Sequence, residues 1–246
     1  MRRSAALAAL LLFGCATPSP VDTRRSGYED MGPSTQAMQR DDAENPGMLW
    51  VQDGEQLWSR SCASCHGDAK SMRGVAARYP AWDEPLRRPV DLATRINLCR
   101  ERHLQEKPLP PEDHDLLALE AFVAMQSRGM AIAPPDDARL QPFVARGEAL
   151  FHQRMGQLDL SCAQCHDERA GRHLGAALIP QGQATGYPIY RLEWQAMGSL
   201  QRRLRGCMSG VRAQPFGWNS VEMTELELYL AKRALGMRWE TPAVRP

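Results

Sequence analysis

The chain has 246 residues, 43% of them hydrophobic and 24% charged, which is the composition of a globular protein with one large or two ordinary domains. Thirty basic against 29 acidic side chains leave a formal net charge of +1. This balance argues against nucleic acid or an anionic membrane surface as the main partner. No apolar run after residue 15 approaches the roughly 20 residues that a membrane helix needs.

The first fifteen residues have the order of a secretory signal. Two arginines precede an apolar stretch over 5–13, and the small residue Gly14 precedes Cys15. We therefore predict a signal peptide over 1–15 and export to the periplasm. The end of the segment is similar to a lipobox, which would lipidate Cys15, and ordinary cleavage just past Cys15 is the alternative. Residues 16–46 are polar and lack apolar periodicity, which predicts a flexible N-terminal lead.

Two C-x-x-C-H motifs lie 100 residues apart, and each is the attachment signature of a c-type haem. Two thiols at this spacing can bond to the two vinyl groups of one porphyrin, and the histidine that follows can ligate the iron. A structural disulfide would be strained across so short a gap and would not need the histidine. We therefore predict two covalently bound haem c groups, attached through Cys62, Cys65, His66, Cys162, Cys165 and His166.

The motifs lie within a longer internal duplication. Gly54-Glu55-Gln56-Leu57-Trp58 precedes the first motif and Gly147-Glu148-Ala149-Leu150-Phe151 the second. Each motif is followed by an Arg four residues before a Cys, and then by an apolar segment with helical spacing. The sequence thus predicts an all-α fold of two tandem cytochrome c-like domains, over 47–132 and 133–246. The second has the longer insert, over 167–200.

Each predicted iron needs a ligand opposite the histidine, and three types of donor are available. Methionine is the common choice in electron-transfer cytochromes, and the candidates are Met130, Met208, Met223 and Met237. His103, His114, His152 and His173 are further alternatives, although surface or loop positions suit them better. Cys99 and Cys207 each lie at a suitable distance after a motif, and we predict that their thiolates are the ligands. A disulfide between these two cysteines is the competing interpretation.

A thiolate ligand lowers the reduction potential of a haem and favours sulfur chemistry over simple electron shuttling. Arginine at such a site suits oxyanions, because its planar guanidinium offers several donors. Arg203 precedes Cys207 and has Arg202, Arg205 and Arg212 nearby, and a role in binding haem propionates is the alternative. The first half also has nearby arginines, so charge alone does not decide which site is catalytic: Arg95, Arg100 and Arg102.

The chain closely resembles the SoxA family of dihaem cytochromes from about Gly54 to Pro246. The resemblance is densest in QGQATGYPIYRLEWQAMGSLQRRLRGCMSG, residues 181–210, and in the closing ETPAVRP. It implies that thiosulfate is coupled oxidatively to a cysteine of the SoxYZ carrier, with electrons passing through haem to a SoxX cytochrome in a heterodimer. It also implies His66 and Cys99, and His166 and Cys207, as axial ligand pairs.

The same resemblance implies that Cys207 is the active-site cysteine and Arg203 the active-site arginine. The longer insert around the second motif agrees with a catalytic second site. Two other functions remain open from the residues alone. One is a plain dihaem electron carrier with methionine ligands, and the other is a stand-alone thiosulfate dehydrogenase that joins two thiosulfates.

Overall fold

The structure is a computed structural model, and it describes residues 22–246. The predicted signal peptide and Cys15 therefore lie outside the described residues. The α-helices are α1 Pro33–Arg40, α2 Gly47–Ser61, α3 Ala63–His66, α4 Leu92–Cys99, α5 His114–Met125, α6 Gln141–His152, α7 Cys162–His166, α8 Leu200–Gly210 and α9 Val221–Arg233. A π-helical turn, Arg100–Leu104, follows α4. The strands are β1 Ala81–Asp83, β2 Arg88–Val90, β3 His173–Leu174, β4 Ala177–Leu178, β5 Ile189–Arg191, β6 Ala196–Gly198 and β7 Ala243–Arg245.

Each half is built on one crossing of two helices, α2 against α5 and α6 against α9. A glycine lies at each crossing, Gly54 in α2 and Gly147 in α6. A Cβ atom on Gly54 would lie 2.1 Å from the carbonyl oxygen of Ala118, and one on Gly147 would lie 2.1 Å from that of Glu225. The repeated glycines thus let the two backbones touch, and these close crossings form the base of the two hydrophobic cores.

The all-α prediction needs correction, because the described residues also form three small sheets. Strands β1 and β2 form a hairpin in the first half, and β3 and β4 form another in the second. The third sheet has the order β6-β5-β7, with β5 antiparallel to β6 and parallel to β7. Its residues Tyr190, Met197 and Val244 pack into the core of the first half. The two halves therefore share this packed sheet.

Residues 22–46 are not the flexible lead that the sequence predicted. Met31 is buried, and Pro33 begins helix α1. The amide of Gln39 accepts hydrogen bonds from the backbone of Val244 and the side chain of Arg245, and Asn45 donates one to the carbonyl of Pro242. These partners lie about 200 positions further along the chain, so local composition could not reveal them.

Carboxyl groups cluster around a cavity of about 80 Å³ between the two halves. Glu120 in α5 and Glu227 in α9 occupy matching places in the repeated helices, and both line this cavity together with Asp91. Burial, and then the nearby carboxylate of Asp91, raise the pKa of each glutamate well above its usual value. Burial therefore favours the uncharged form of both glutamates, which reduces the repulsion inside this contact.

Candidate functional site

The first C-x-x-C-H motif turns directly out of helix α2 into the short helix α3. The indole nitrogen of Trp58 donates a 3.1 Å hydrogen bond to the carbonyl of Gly67, and its ring lies 5.5 Å from the ring of His66. Helix α4 begins at the Asp91 cap, whose carboxylate accepts from the amide of Thr94, and it ends at Cys99. The Cys99 sulfur lies 3.9 Å from Nε2 of His66. The two predicted ligands of the first site thus face each other.

The second motif forms helix α7, which begins with a capping box between Ser161 and Gln164. The Nδ1 atom of His166 lies 2.7 Å from the carbonyl oxygen of Pro180. A carbonyl can only accept a hydrogen bond, so Nδ1 carries the proton and Nε2 keeps its lone pair for another partner. Cys207, in helix α8, lies close enough to His166 for that ring to influence the pKa of its thiol. The second pair of predicted ligands is therefore also together.

These donor sets fit a c-type haem. In each half, two cysteines lie on one helical turn beside a histidine, and a third cysteine approaches that histidine from another helix. All six cysteines of the described chain are free thiols, which excludes the alternative disulfide between Cys99 and Cys207 in this structure. Cys62, Cys65, Cys162 and Cys165 would hold the porphyrins. The pairs His66 with Cys99 and His166 with Cys207 would ligate the irons.

Several of the alternative ligands have other surroundings. Met208 and Met223 are buried in the second hydrophobic core. The methyl group of Met130 lies close to Gly74. His114 pairs with Asp53, and His173 lies in the exposed strand β3. Cys99 and Cys207 are the cysteines that approach the motif histidines from another helix, and their role as ligands stays a prediction.

The Cys207 site is strongly electropositive. Burial alone would raise the pKa of the Cys207 thiol, but the nearby His166 ring and the charges of Arg203 and Arg191 outweigh burial and lower it below its usual value. Arg203 is half-buried, and its guanidinium forms no ion pair within residues 22–246. A stabilised thiolate beside an unpaired arginine can hold a sulfur nucleophile next to an oxyanion.

The arginines of the first half are paired instead. Arg95 and Arg102 each lie 2.9 Å from the same Oδ2 atom of Asp83, and Arg100 lies 2.8 Å from a carboxylate oxygen of Glu106. Hydrogen bonds from Arg102 are the largest influence on Asp83, and they lower its pKa to about 2 against the opposing effect of burial. The three arginines that the sequence left equivalent to those of the second half thus all have carboxylate partners.

Replacement of Asp83 by asparagine is expected to destabilise the first half. The pKa of Asp83 falls from 3.8 to about 2 on folding, so its charge stabilises the fold above pH 3.8, and this contribution is lost as the pH falls through about 2. We expect Asp83→Asn to lower the free energy of unfolding by about 2 kcal/mol near pH 7. Urea unfolding at several pH values measures this, and the difference from the unchanged protein should shrink toward pH 2.

The exposed pair of Asp159 with Arg154 provides a control for that experiment, since surface pairs contribute little. Asp159→Asn should leave the unfolding free energy nearly unchanged. An Asp83→Asn effect that is equally small, or that does not depend on pH, would contradict the role assigned to Asp83.

Two of the other arginines predicted near Cys207, Arg202 and Arg205, have partners of their own. Arg202 lies over the ring of Trp194 and 3.8 Å from Glu112, and Arg205 donates to the carbonyl of Phe216. Sequence reasoning missed Arg191 in the second half and its counterpart Asp83 in the first. One sequence signal could have revealed that these two residues are equivalent. A Tyr-Pro dipeptide begins at Tyr79 and another at Tyr187, each twenty residues before a predicted ligand cysteine.

Comparison with known proteins now defines the family. The family model described as SoxA/TsdA, cytochrome c domain, matches residues 48–132 and 146–239. These two blocks include both C-x-x-C-H motifs and both facing cysteines. The chain belongs to the SoxA/TsdA cytochrome c family. Among residues 22–246, no helix has the length and apolar character needed to cross a membrane.

Proteins that are similar to this chain over most of its length are SoxA subunits. The L-cysteine S-thiosulfotransferase subunit SoxA of Pseudaminobacter salicylatoxidans is 37% identical over 92% of this chain and 82% of its own length. The SoxA subunit of Paracoccus pantotrophus is 37% identical over 91% of this chain and 80% of its own length. A crystal structure of SoxXA from P. pantotrophus superposes with a TM-score of 0.88, at 33% identity, over 92% of this chain and 88% of that chain.

Proposed function

We propose that this member of the SoxA/TsdA family is the SoxA-type subunit of an L-cysteine S-thiosulfotransferase. It couples thiosulfate oxidatively to a cysteine of a SoxYZ-type carrier protein. The observation that carries the proposal is the Cys207 site, where a thiol of lowered pKa lies beside an unpaired arginine. Names of the relatives support the same reaction and the heterodimer with a SoxX-type cytochrome.

The reaction joins the outer sulfur of thiosulfate to the sulfur of a thiol. One S–S bond forms, the thiol S–H bond breaks, and one proton and two electrons are released. Haem, when bound, would accept the electrons one at a time, and the SoxX cytochrome would receive them from this subunit. The residues of this chain bind and orient the reactants around that chemistry.

Arg203 binds and orients the sulfonate oxygens of thiosulfate through its planar set of donors. Cys207 lies where the sulfane sulfur of thiosulfate would be placed, and its thiolate is stabilised by His166 and by the neighbouring positive charges. The carbonyl of Pro180 accepts from Nδ1 of His166 and fixes the ring, which leaves Nε2 as the nitrogen that would ligate iron. We infer the same ligand role for His66 and Cys99 in the first half, without the sulfur chemistry.

We further propose two haem c groups per chain, one in each of the domains 47–132 and 133–246, and maturation in the periplasm. The two complete motifs and the facing histidine–cysteine pairs support this stoichiometry. Intact-protein mass spectrometry of the mature chain should show the polypeptide plus two haems. A mass that fits one haem would contradict the proposal.

The experiment that tests the function compares thiosulfate-dependent cytochrome reduction with and without the carrier protein. Reduction that requires the carrier, with a carrier mass increased by a thiosulfonate group, is the expected result. Reduction without the carrier, with tetrathionate as the product, would identify a stand-alone thiosulfate dehydrogenase. No reduction under either condition would leave only the electron-carrier function.

A further inference from the structure

The two halves repeat not only their helices but also the segment that leads into each facing cysteine. Tyr79 and Tyr187, and Arg95 and Arg203, are separated by the same 108 positions as Cys99 and Cys207. In both halves the segment forms a two-stranded hairpin and then a helix capped by a side chain at its first turn. The alignment therefore needs no gap from the Tyr-Pro dipeptide to the cysteine.

The hairpins have the same strand register. In the first, Ala81 pairs with Val90 and Asp83 with Arg88. In the second, Ile189 pairs with Gly198 and Arg191 with Ala196. Each turn also contains one residue with positive φ at the same place, Arg87 with 51° and Gln195 with 49°. Asp83 and Arg191 are therefore structurally equivalent, at the end of the first strand.

This position has opposite charge in the two halves. Asp83 is 1% exposed and pairs with Arg95, the counterpart of Arg203. In the second half an arginine stands where that carboxylate would be. The shared geometry thus brings two guanidinium groups, those of Arg191 and Arg203, to the site that in the first half holds an ion pair.

The side chain of Arg191 is only 14% exposed, and its Nε atom is buried without a hydrogen-bond partner within the described residues. Its one ion-pair partner, Glu193, lies 2.7 Å away and is 63% exposed, so the pair does not fill the inner side of the guanidinium. Burial, and then the charge of Arg203, lower the pKa of Arg191. A buried donor next to a second cation is costly unless an anion meets both.

We propose that Arg191 is a second anion-binding residue of the Cys207 site, which together with Arg203 selects a doubly charged sulfur oxyanion. The first site is closed to such an anion, because Asp83 occupies the equivalent position and pairs with Arg95. The identity of the anion as thiosulfate rests on the proposed function. The role assigned to Arg191 rests on the internal duplication.

The test uses the full chain with its haems and its SoxX-type partner. Binding of sodium sulfate and sodium thiosulfate is measured by calorimetry, and steady-state kcat and KM for thiosulfate are measured with the carrier protein. Arg191→Gln should weaken binding of both anions by about 10–100-fold and raise KM more than it lowers kcat, the range expected for hydrogen bonds to a charged group. Arg191→Lys should retain more of the binding than Arg191→Gln.

Arg191→Asp recreates the arrangement of the first half and should form an ion pair with Arg203. We therefore expect it to weaken anion binding more than Arg191→Gln does, in a protein that still folds, because the first hairpin already holds aspartate at this position. Arg154→Gln is the matched control. It removes one exposed arginine of the second half, paired with Asp159, and should leave binding and KM unchanged.

The outcomes separate this proposal from the proposed function. If Arg191→Gln and Arg191→Asp, with normal haem content and thermal unfolding, bind both anions as the unchanged protein does, the Arg191 proposal is wrong. If binding falls as expected but the unchanged protein transfers no thiosulfate to the carrier, the Arg191 site stands and the proposed function fails. Should Arg191→Gln misfold, Arg191→Lys and Arg191→Asp still give the comparison.

Discussion

Replacing Cys207 with alanine is expected to abolish thiosulfate-dependent turnover, whereas Cys99→Ala should leave most of it. The difference follows from the surroundings of the two thiols. Cys207 lies beside the unpaired Arg203 and has a lowered pKa, while the arginines near Cys99 are paired with carboxylates. A thiolate can stand beside an oxyanion only where unpaired positive charge offsets the repulsion between the two anions.

Arg203→Gln is expected to reduce turnover without abolishing it. Loss of a single preorganised donor that stabilises transition-state charge typically costs about 10²–10³-fold in rate, and we expect a decrease of that size. Turnover with the carrier protein is measured for all three variants after haem content has been confirmed. An inactive Cys99→Ala together with a normal Cys207→Ala would place the chemistry in the first half.

The second large effect is expected from Gly147→Ala, which should strongly destabilise the fold. The added Cβ would lie 2.1 Å from the backbone carbonyl of Glu225 and 2.8 Å from Cβ of Tyr229, so helices α6 and α9 would have to separate. Overpacking of this kind costs typically 1–3 kcal/mol, and a clash with backbone should reach about 3 kcal/mol or more. Chemical denaturation of the haem-loaded protein measures the loss.

Gly210→Ala is the control, because its Cβ would meet no atom within 4 Å at the end of helix α8. It should be neutral or slightly stabilising, since alanine is the better helix former. Gly54→Ala tests the equivalent crossing in the first half, where the carbonyl of Ala118 is equally close. Stability close to that of the unchanged protein in both crossing variants would show that the helices can separate at little cost.

The sequence predicted the parts of this protein that rest on local spacing. The two C-x-x-C-H motifs, the repeated glycine before each motif and the repeated cysteine after it are all visible within short windows. The two motifs themselves form helices α3 and α7. The structure also brings Cys99 close to His66 and Cys207 close to His166. Periodicity likewise predicted the two long helices α5 and α9.

Features that depend on distant partners were missed. The polar segment before α2 gives no hint that Gln39 binds the last strand, and three-residue strands are too short to show alternation. The insert of the second half was placed over 167–200, but the matched hairpins limit it to the residues before Tyr187. This error hid the equivalence of Asp83 with Arg191, and with it the charge difference between the sites.

Strand β7 has a consequence for how the protein can be handled. Its pairing with β5, which runs from Ile189↔Ala243 to Arg191↔Arg245, places residues 243–245 directly beside the strand that carries Arg191. Removal of residues 243–246 would leave one side of β5 as an unpaired edge, open to other chains, and would free the strand that holds Arg191. A purification tag fused directly after Pro246 would disturb the pairing of the same strand. Changes to residues 243–245 would therefore disturb the strand that carries Arg191.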